Sequence, residues 1–321
     1  MKSFIIDCLQ YANWNRKIFE EMNKGKVNAI HVTISYHESF EETVKNLVSW
    51  NKLLEENNDI IFQGFSTEDI SFAKETGKTA IFFGFQNPSS IQQNIGYLEV
   101  WHRLGIRFMQ LTYNNQSLLA SGCYEKNDNG LSRMGLEVIN EMNRLGIVID
   151  MSHAGKKSTI DAIESSKKPI AITHANPSFW HNVERNVSSE VLKKLSKNKG
   201  MIGFSLYPNH LLGGSDCTLN SFCKMIVDTV DLIGINSVGI GSDLVQGQPD
   251  EVVAWMRNGK WRKTNYKNEE KIKFPKATSF FKNNCDLKNI GNGLRSYGMN
   301  KEEIEKIMGN NWFNFFNRVF K

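Results

Sequence analysis

The chain is predicted to fold as a TIM barrel, a closed parallel (β/α)8 sheet of eight strand–helix units. Three observations carry that prediction. Short, β-branched apolar runs recur along the sequence, separated by segments of helical periodicity. Several helical segments stop at a glycine followed at once by the next run, as at Leu104-Gly105, Leu145-Gly146 and Ile233-Gly234. The length of 321 residues suits eight such units better than it suits a doubly wound sheet. No repeat, low-complexity tract or linker marks a boundary, so residues 1–321 are expected to form a single domain.

The first strand is placed at residues 3–7, so early that no signal peptide is expected before it. The second is 28–34, followed by a helix over 40–56. The third is 79–85, with a helix over 91–104, and the fourth is 105–112. A long polar loop, 114–130, leads to a helix over 133–145 and the fifth strand, 146–152. A helix over 156–166, the sixth strand at 169–174 and a helix over 188–196 come next. The seventh strand is 200–206, the last intervening helix 221–233 and the eighth strand 237–242. An extended loop over 244–290, with Trp255, Trp261, Tyr266 and a lysine-rich stretch, has the length of a lid or an insert. The aromatic, amphipathic stretch 301–320 reads as a final helix.

Composition excludes several classes. The net charge of +5 is modest. The densest basic stretch, Lys193, Lys194, Lys197 and Lys199, lies on a helical pattern where a solvated face accounts for it, so nucleic acid is not an expected partner. The five cysteines (Cys8, Cys123, Cys217, Cys223 and Cys285) are odd in number and form no CxxC pair. That argues against a disulfide framework and for a reducing compartment. No apolar stretch approaches the ~18 residues of a spanning helix. A soluble, cytoplasmic protein with a small-molecule partner is expected, and a homodimer is allowed.

In parallel α/β folds the carboxyl ends of the strands converge on one face, where sites form. Taking the strand ends gives Asp7, Gln86, Tyr113, His153, His174 and Asp243, with Arg185 on the loop after the sixth strand. His153 and His174 end consecutive strands, and neutral imidazoles so delivered suit zinc; two hydrogen-bonded histidines are the alternative. Asp243 is placed to accept a proton beside a metal-bound water, or to order its loop. Arg185 has the guanidinium fork for a substrate carboxylate, or makes an ordinary ion pair.

Five segments together resemble the membrane (renal) dipeptidases, zinc peptidases on a TIM barrel. They are Ile149-Asp150-Met151-Ser152-His153, Ile172-Thr173-His174-Ala175-Asn176-Pro177, Arg185-Asn186-Val187-Ser188, Gly241-Ser242-Asp243 and the tail Met308-Gly309-Asn310-Asn311-Trp312. The resemblance runs over nearly the whole chain. It implies that His153 and His174 ligate one zinc, that Asp243 assists proton transfer and that Arg185 binds the substrate carboxylate. Departures are as informative. Where the family opens with Asp-x-His-x-Asp, this chain has Asp7-Cys8-Leu9-Gln10-Tyr11, so Leu9 and Tyr11 replace two ligands. The bridging glutamate corresponds to Gln86, and the histidine that holds the scissile group corresponds to Tyr113.

Without a bridging carboxylate, two divalent ions would face each other in a poorly screened cavity. At most one zinc is expected, on His153 and His174, with Gln86, Asp243 or water completing the shell, and an empty site is the alternative. Cys123, on the loop after the fourth strand, is either a replacement ligand or a buried thiol. Tyr11, Trp14, Phe85, Tyr113, Trp180 and Tyr207 lie at or beyond strand ends, either as packing residues or as a π-faced lining for a cation. The first functional reading is a dipeptidase-family hydrolase cleaving a dipeptide or small amide with a metal-activated water. A second is a divergent barrel without peptidase activity that binds or transforms a small zwitterionic or methylated-ammonium metabolite. A third is a non-catalytic binding protein on the same scaffold.

Overall fold

The strands occur where branched apolar runs alternate with glycine-stopped helices, in a computed structural model that describes residues 3–260 and 273–320. They are β1 (Ile6–Ala12), β2 (Ala29–Ser35), β3 (Ile61–Gln63), β4 (Thr79–Phe85), β5 (Ile106–Gln110), β6 (Val148–Asp150), β7 (Ala171–Ala175), β8 (Met201–Phe204), β9 (Val238–Ile240) and β10 (Leu244–Gln246). All pairings between them are parallel. Eight strands follow one another around a ring in the order β1-β2-β4-β5-β6-β7-β8-β9, and Asp7 opposite Ile240 closes it. The fold is therefore a TIM barrel, and each predicted run supplies one strand of the ring. Two short strands were not anticipated: β3 pairs with β4 from outside the ring, and β10 extends beside β1.

The helices are α1 (Arg16–Lys24), α2 (Phe40–Glu56), α3 (Thr67–Thr76), α4 (Tyr97–Arg103), α5 (Arg133–Leu145), α6 (Lys156–Ser165), α7 (Ser189–Lys197), α8 (Leu219–Ile233), α9 (Asp250–Asn258), α10 (Leu287–Ser296), α11 (Lys301–Glu305) and α12 (Asn311–Val319). Local chemistry fixes their ends. Ser39 and Glu42 form a capping box on α2, and Gly146 ends α5 at φ +86°, a left-handed conformation that glycine adopts without a Cβ penalty.

Four expectations need correction. The first strand begins at Ile6 rather than residue 3 and runs to Ala12, because its polar second half pairs with β2 and β10. The helix expected over 91–104 is a short 3-10 turn, Pro88–Ile91, followed by α4. The stretch 244–290 is not a plain loop: it holds β10, α9 and the start of α10, although Trp261 and Tyr266 lie outside the described residues. The tail is two helices, α11 and α12, joined by a π-turn over Lys306–Asn310 with Gly309 at its break. A Cβ at Gly309 would stand 2.3 Å from the Phe4 carbonyl, so the chain passes there only without a side chain.

Apolar burial is divided in two. The larger core lies between the ring and its helices, from Phe19 and Trp50 round to Leu192 and Ile226. The smaller one packs the aromatic face of α12 (Trp312, Phe315, Phe316) against Phe82, Phe108 and Met201 of the strands and against Phe4, which precedes β1. Trp312 is fully buried, and its indole N–H donates to the Ile240 carbonyl at 2.9 Å. We expect Trp312→Ala to lower the unfolding free energy by about 3–5 kcal/mol, read from urea denaturation.

Candidate active site

Period-two alternation decides which strand-end residues face the cavity. Phe85 turns outward into the core against Trp101, and its neighbour Gln86 turns inward. Gln86, Tyr113, His153, Arg185 and Asp243 all line one cavity of about 420 Å³ at the carboxyl ends of the strands. His174 is fully buried beneath His153, with their Nε2 atoms 3.0 Å apart.

Hydrogen bonds fix both imidazoles. The Asn114 amide oxygen, which only accepts, lies 2.7 Å from Nδ1 of His153 and so takes its proton. The Thr173 hydroxyl donates to Asp150 at 2.6 Å, leaving a lone pair for the Nδ1 proton of His174 at 2.8 Å. Both Nε2 lone pairs then face each other. Burial pushes both imidazoles well below their usual pKa, with Arg185 adding to the shift, so they stand neutral. Nη2 of Arg185 donates to Nε2 of His153 at 3.2 Å and to the His174 carbonyl at 3.3 Å, and Nη1 donates to the Ser152 carbonyl.

The two neutral imidazoles converge through Nε2 and suit one divalent ion as donor chemistry, provided the ion displaces the Arg185 N–H from Nε2 of His153. They do not complete a four-coordinate shell. Among the described residues no group of three His, Cys, Asp or Glu side chains could hold a metal ion. The Gln86 amide N–H group donates to Thr33 Oγ1 (2.7 Å) and Tyr36 OH (2.9 Å), which leaves its oxygen as the acceptor. A two-ion centre does not fit these residues, and the guanidinium beside His153 adds positive charge where a second ion would need carboxylates.

Asp243 sits between β9 and β10 at φ +54°, a costly conformation for a non-glycine residue and one that collects at functional sites. Burial raises its carboxyl to about 7, against the opposing pull of Arg185. Tyr36, Tyr113 and Tyr207 all lie within its electrostatic reach.

One expectation fails here and two open alternatives are decided. Asp7 is not in the cavity: it is fully buried and accepts from Ser242 N (2.7 Å), the Ser242 hydroxyl and Gln10 Nε2 (2.7 Å). Of the six aromatics only Tyr11, Tyr113 and Tyr207 line the cavity, since Trp14 stacks on Phe19, Phe85 is core and Trp180 packs against the outer core. Cys123 is no replacement ligand. Burial raises its thiol to about 11, it lies 3.7 Å from the Asn114 amide oxygen, and it lines a neighbouring cavity behind Arg185. Sequence reasoning missed Asn114, His210 and Arg257; His210 and Arg257 line the cavity, and a histidine two residues beyond Pro208 carries no motif.

Residues 13–258 match the family model described as membrane dipeptidase, peptidase family M19. The chain belongs to the membrane dipeptidase family. An amidohydrolase of known structure from Pseudomonas aeruginosa is 36% identical and superposes with a TM-score of 0.92, the match covering 99% of this chain and 97% of that one. Dipeptidase AC, a metallopeptidase of family M19 with a known structure, shares the fold at 14% identity and TM-score 0.83, over 100% and 99% of the two chains. An uncharacterized dipeptidase of Schizosaccharomyces pombe is 30% identical over 193 residues, 58% of this chain and 46% of its own length. The chain thus spans about half, and at most 63%, of the length of the first curated relatives it matches. In this chain His153 lines the cavity and His174 lies buried beside it, and no third His, Cys, Asp or Glu joins them as a metal-holding group among the described residues.

A carboxyl raised in the folded state penalises folding once it ionises. For Asp243 that penalty is absent below pH ~4 and grows until pH passes about 7. Asp243→Asn should therefore gain stability relative to the unsubstituted protein by about 1 kcal/mol or more between pH 5 and pH 8, measured by denaturation at both.

Proposed function

We propose that the chain is a dipeptidase-type hydrolase, working as a single barrel domain, that cleaves a dipeptide or similar small amide bearing a free carboxylate. The meeting of Arg185, Asp243, Tyr113, His153 and Gln86 on one cavity carries this reading. Arg185 binds the substrate carboxylate through N–H groups not given to backbone carbonyls. Asp243, with a carboxyl near neutrality, takes a proton from the attacking water and returns it to the leaving amine. Burial holds the Tyr113 phenol in its protonated form, a donor for the oxygen that gains charge at the scissile carbon. Nε2 of His153 and of His174, with the Gln86 amide oxygen, would hold one zinc ion. Bound there, the ion would supply Lewis acidity and a more acidic water.

The same site supports a second reading, a barrel that binds or transforms a small zwitterion or methylated ammonium compound without cleaving peptides. What favours it is the lack of a third firm ligand among the described residues, together with the tyrosines around Asp243. No helix among the described residues is long and apolar enough to cross a membrane. We take the cytoplasm as the compartment, expect no nucleic-acid partner and allow a homodimer.

Two measurements test the first reading. Elemental analysis of protein purified without chelators should return no more than one zinc per chain; two per chain would sink the one-ion assignment. Hydrolysis of simple dipeptides, with and without added zinc, should be detectable, and Asp243→Asn should lower kcat by about 100-fold or more. Absence of turnover under every metal condition, with zwitterion binding retained, would favour the second reading.

A further inference from the structure

The first cavity has a neighbour across Tyr113. A second cavity of about 580 Å³ adjoins it, and the two share Tyr113 and Asn115 in their walls. Pro88, Ile91, Leu118 and Leu119 give the second chamber an apolar surface. Its cation, Lys260, is paired with Glu42, and its imidazole, His37, is bonded to the Met256 carbonyl (3.0 Å) and Asn87 (3.2 Å). The chamber therefore offers a ligand little free charge and a large apolar wall. At the junction, Nδ2 of Asn115 is buried without a hydrogen-bond partner among the described residues. A buried amide donor left unpaired is unfavourable unless something supplies an acceptor. Its neighbour Asn114 is held at φ +64° while anchoring His153, so the segment that separates the chambers is set by the site itself.

We propose that this second chamber receives the bulky apolar side chain of the substrate's amino-terminal residue, and that Asn115 donates to a carbonyl oxygen of the substrate where it crosses between the chambers. The proposal rests on the dipeptidase reading of the first cavity and deepens it to a substrate class: dipeptides with a large apolar first residue and a small second one. A dipeptide of two glycines fills only the first cavity. A phenylalanine or tryptophan side chain reaches past Tyr113, whose ring already stacks on His153 with centroids 4.1 Å apart, and leaves water for the apolar wall.

Isothermal titration of the purified protein with Gly-Gly, Phe-Gly and Trp-Gly tests this, with product analysis run in parallel. Phe-Gly and Trp-Gly should bind at least tenfold tighter than Gly-Gly. Ser89→Trp, which fills the chamber, and Leu118→Asp, which charges its half-exposed wall, should each reduce that preference to less than threefold without weakening Gly-Gly. Asn115→Ala should weaken all three peptides. Equal affinity for the three peptides, a preference that survives both chamber variants, or no binding at all would overturn the proposal. The two readings separate cleanly: selective binding without cleavage keeps the chamber and rejects hydrolysis, whereas cleavage without size preference does the reverse.

Discussion

Two buried carboxylates hold this site together. Asp150, at the end of β6, accepts from the backbone N–H and hydroxyl of Ser152, the backbone N–H and hydroxyl of Thr173, and the side-chain amide of Gln110. Those donors lie on or beside β5, β6 and β7, so one side chain ties three strands together and sets the Thr173 hydroxyl that orients His174. Asp7 does the same work across the ring's seam, gathering Ser242 and Gln10, while the backbone N–H of Asp243 reaches the Leu9 carbonyl at 3.0 Å. Burial raises both carboxyls and the hydrogen bonds oppose it. Removing the donors would leave a desolvated acid without compensation, so each network is strong only when complete. The histidines and Asp243 inherit their positions from these two hubs.

The charge balance of the cavity follows from the same parts. Leu9, Tyr11 and Gln86 stand where the family resemblance implied charged or metal-binding groups. The wall of the cavity carries two guanidiniums, Arg185 and Arg257, and one carboxylate, Asp243, which feels the pull of Arg185. One carboxylate against two guanidiniums leaves the lining short of the negative charge that two divalent ions would need.

Much of this was legible in the chain. The ring strands could be read because each is a short branched run with a glycine or polar stop. β3 could not, since three residues, Ile61, Phe62 and Gln63, carry no periodicity, and its single partner is β4. α1 escaped because its apolar residues, Ile18, Phe19 and Met22, are few among charges. The histidines, Gln86 and Asp243 were found because strand ends converge. Arg185 was offered for its guanidinium fork and the resemblance pointed the same way, but a loop arginine has no local signal of its partners. Phe85 could not be told from a cavity residue for want of register: neighbouring side chains on a strand point to opposite sides, and one position separates cavity from core. Asn114 and His210 lie on loops whose path only the folded chain defines.

The seam of the ring also bears on how the chain is made. The Phe4 backbone N–H donates to the Asn310 side chain at 3.0 Å, and the Gln10 amide donates to Asn284 at 2.6 Å. The opening strand is thus completed by residues some 270 to 310 positions downstream. During synthesis it leaves the ribosome long before β9 and the closing helix exist, and its outer edge stays unpaired in the meantime. Contacts of such span make closure a late event, and until then the nascent barrel is an open sheet with adhesive ends. The edge that the finished ring hides is therefore the surface most exposed to wrong partners while the chain is being made.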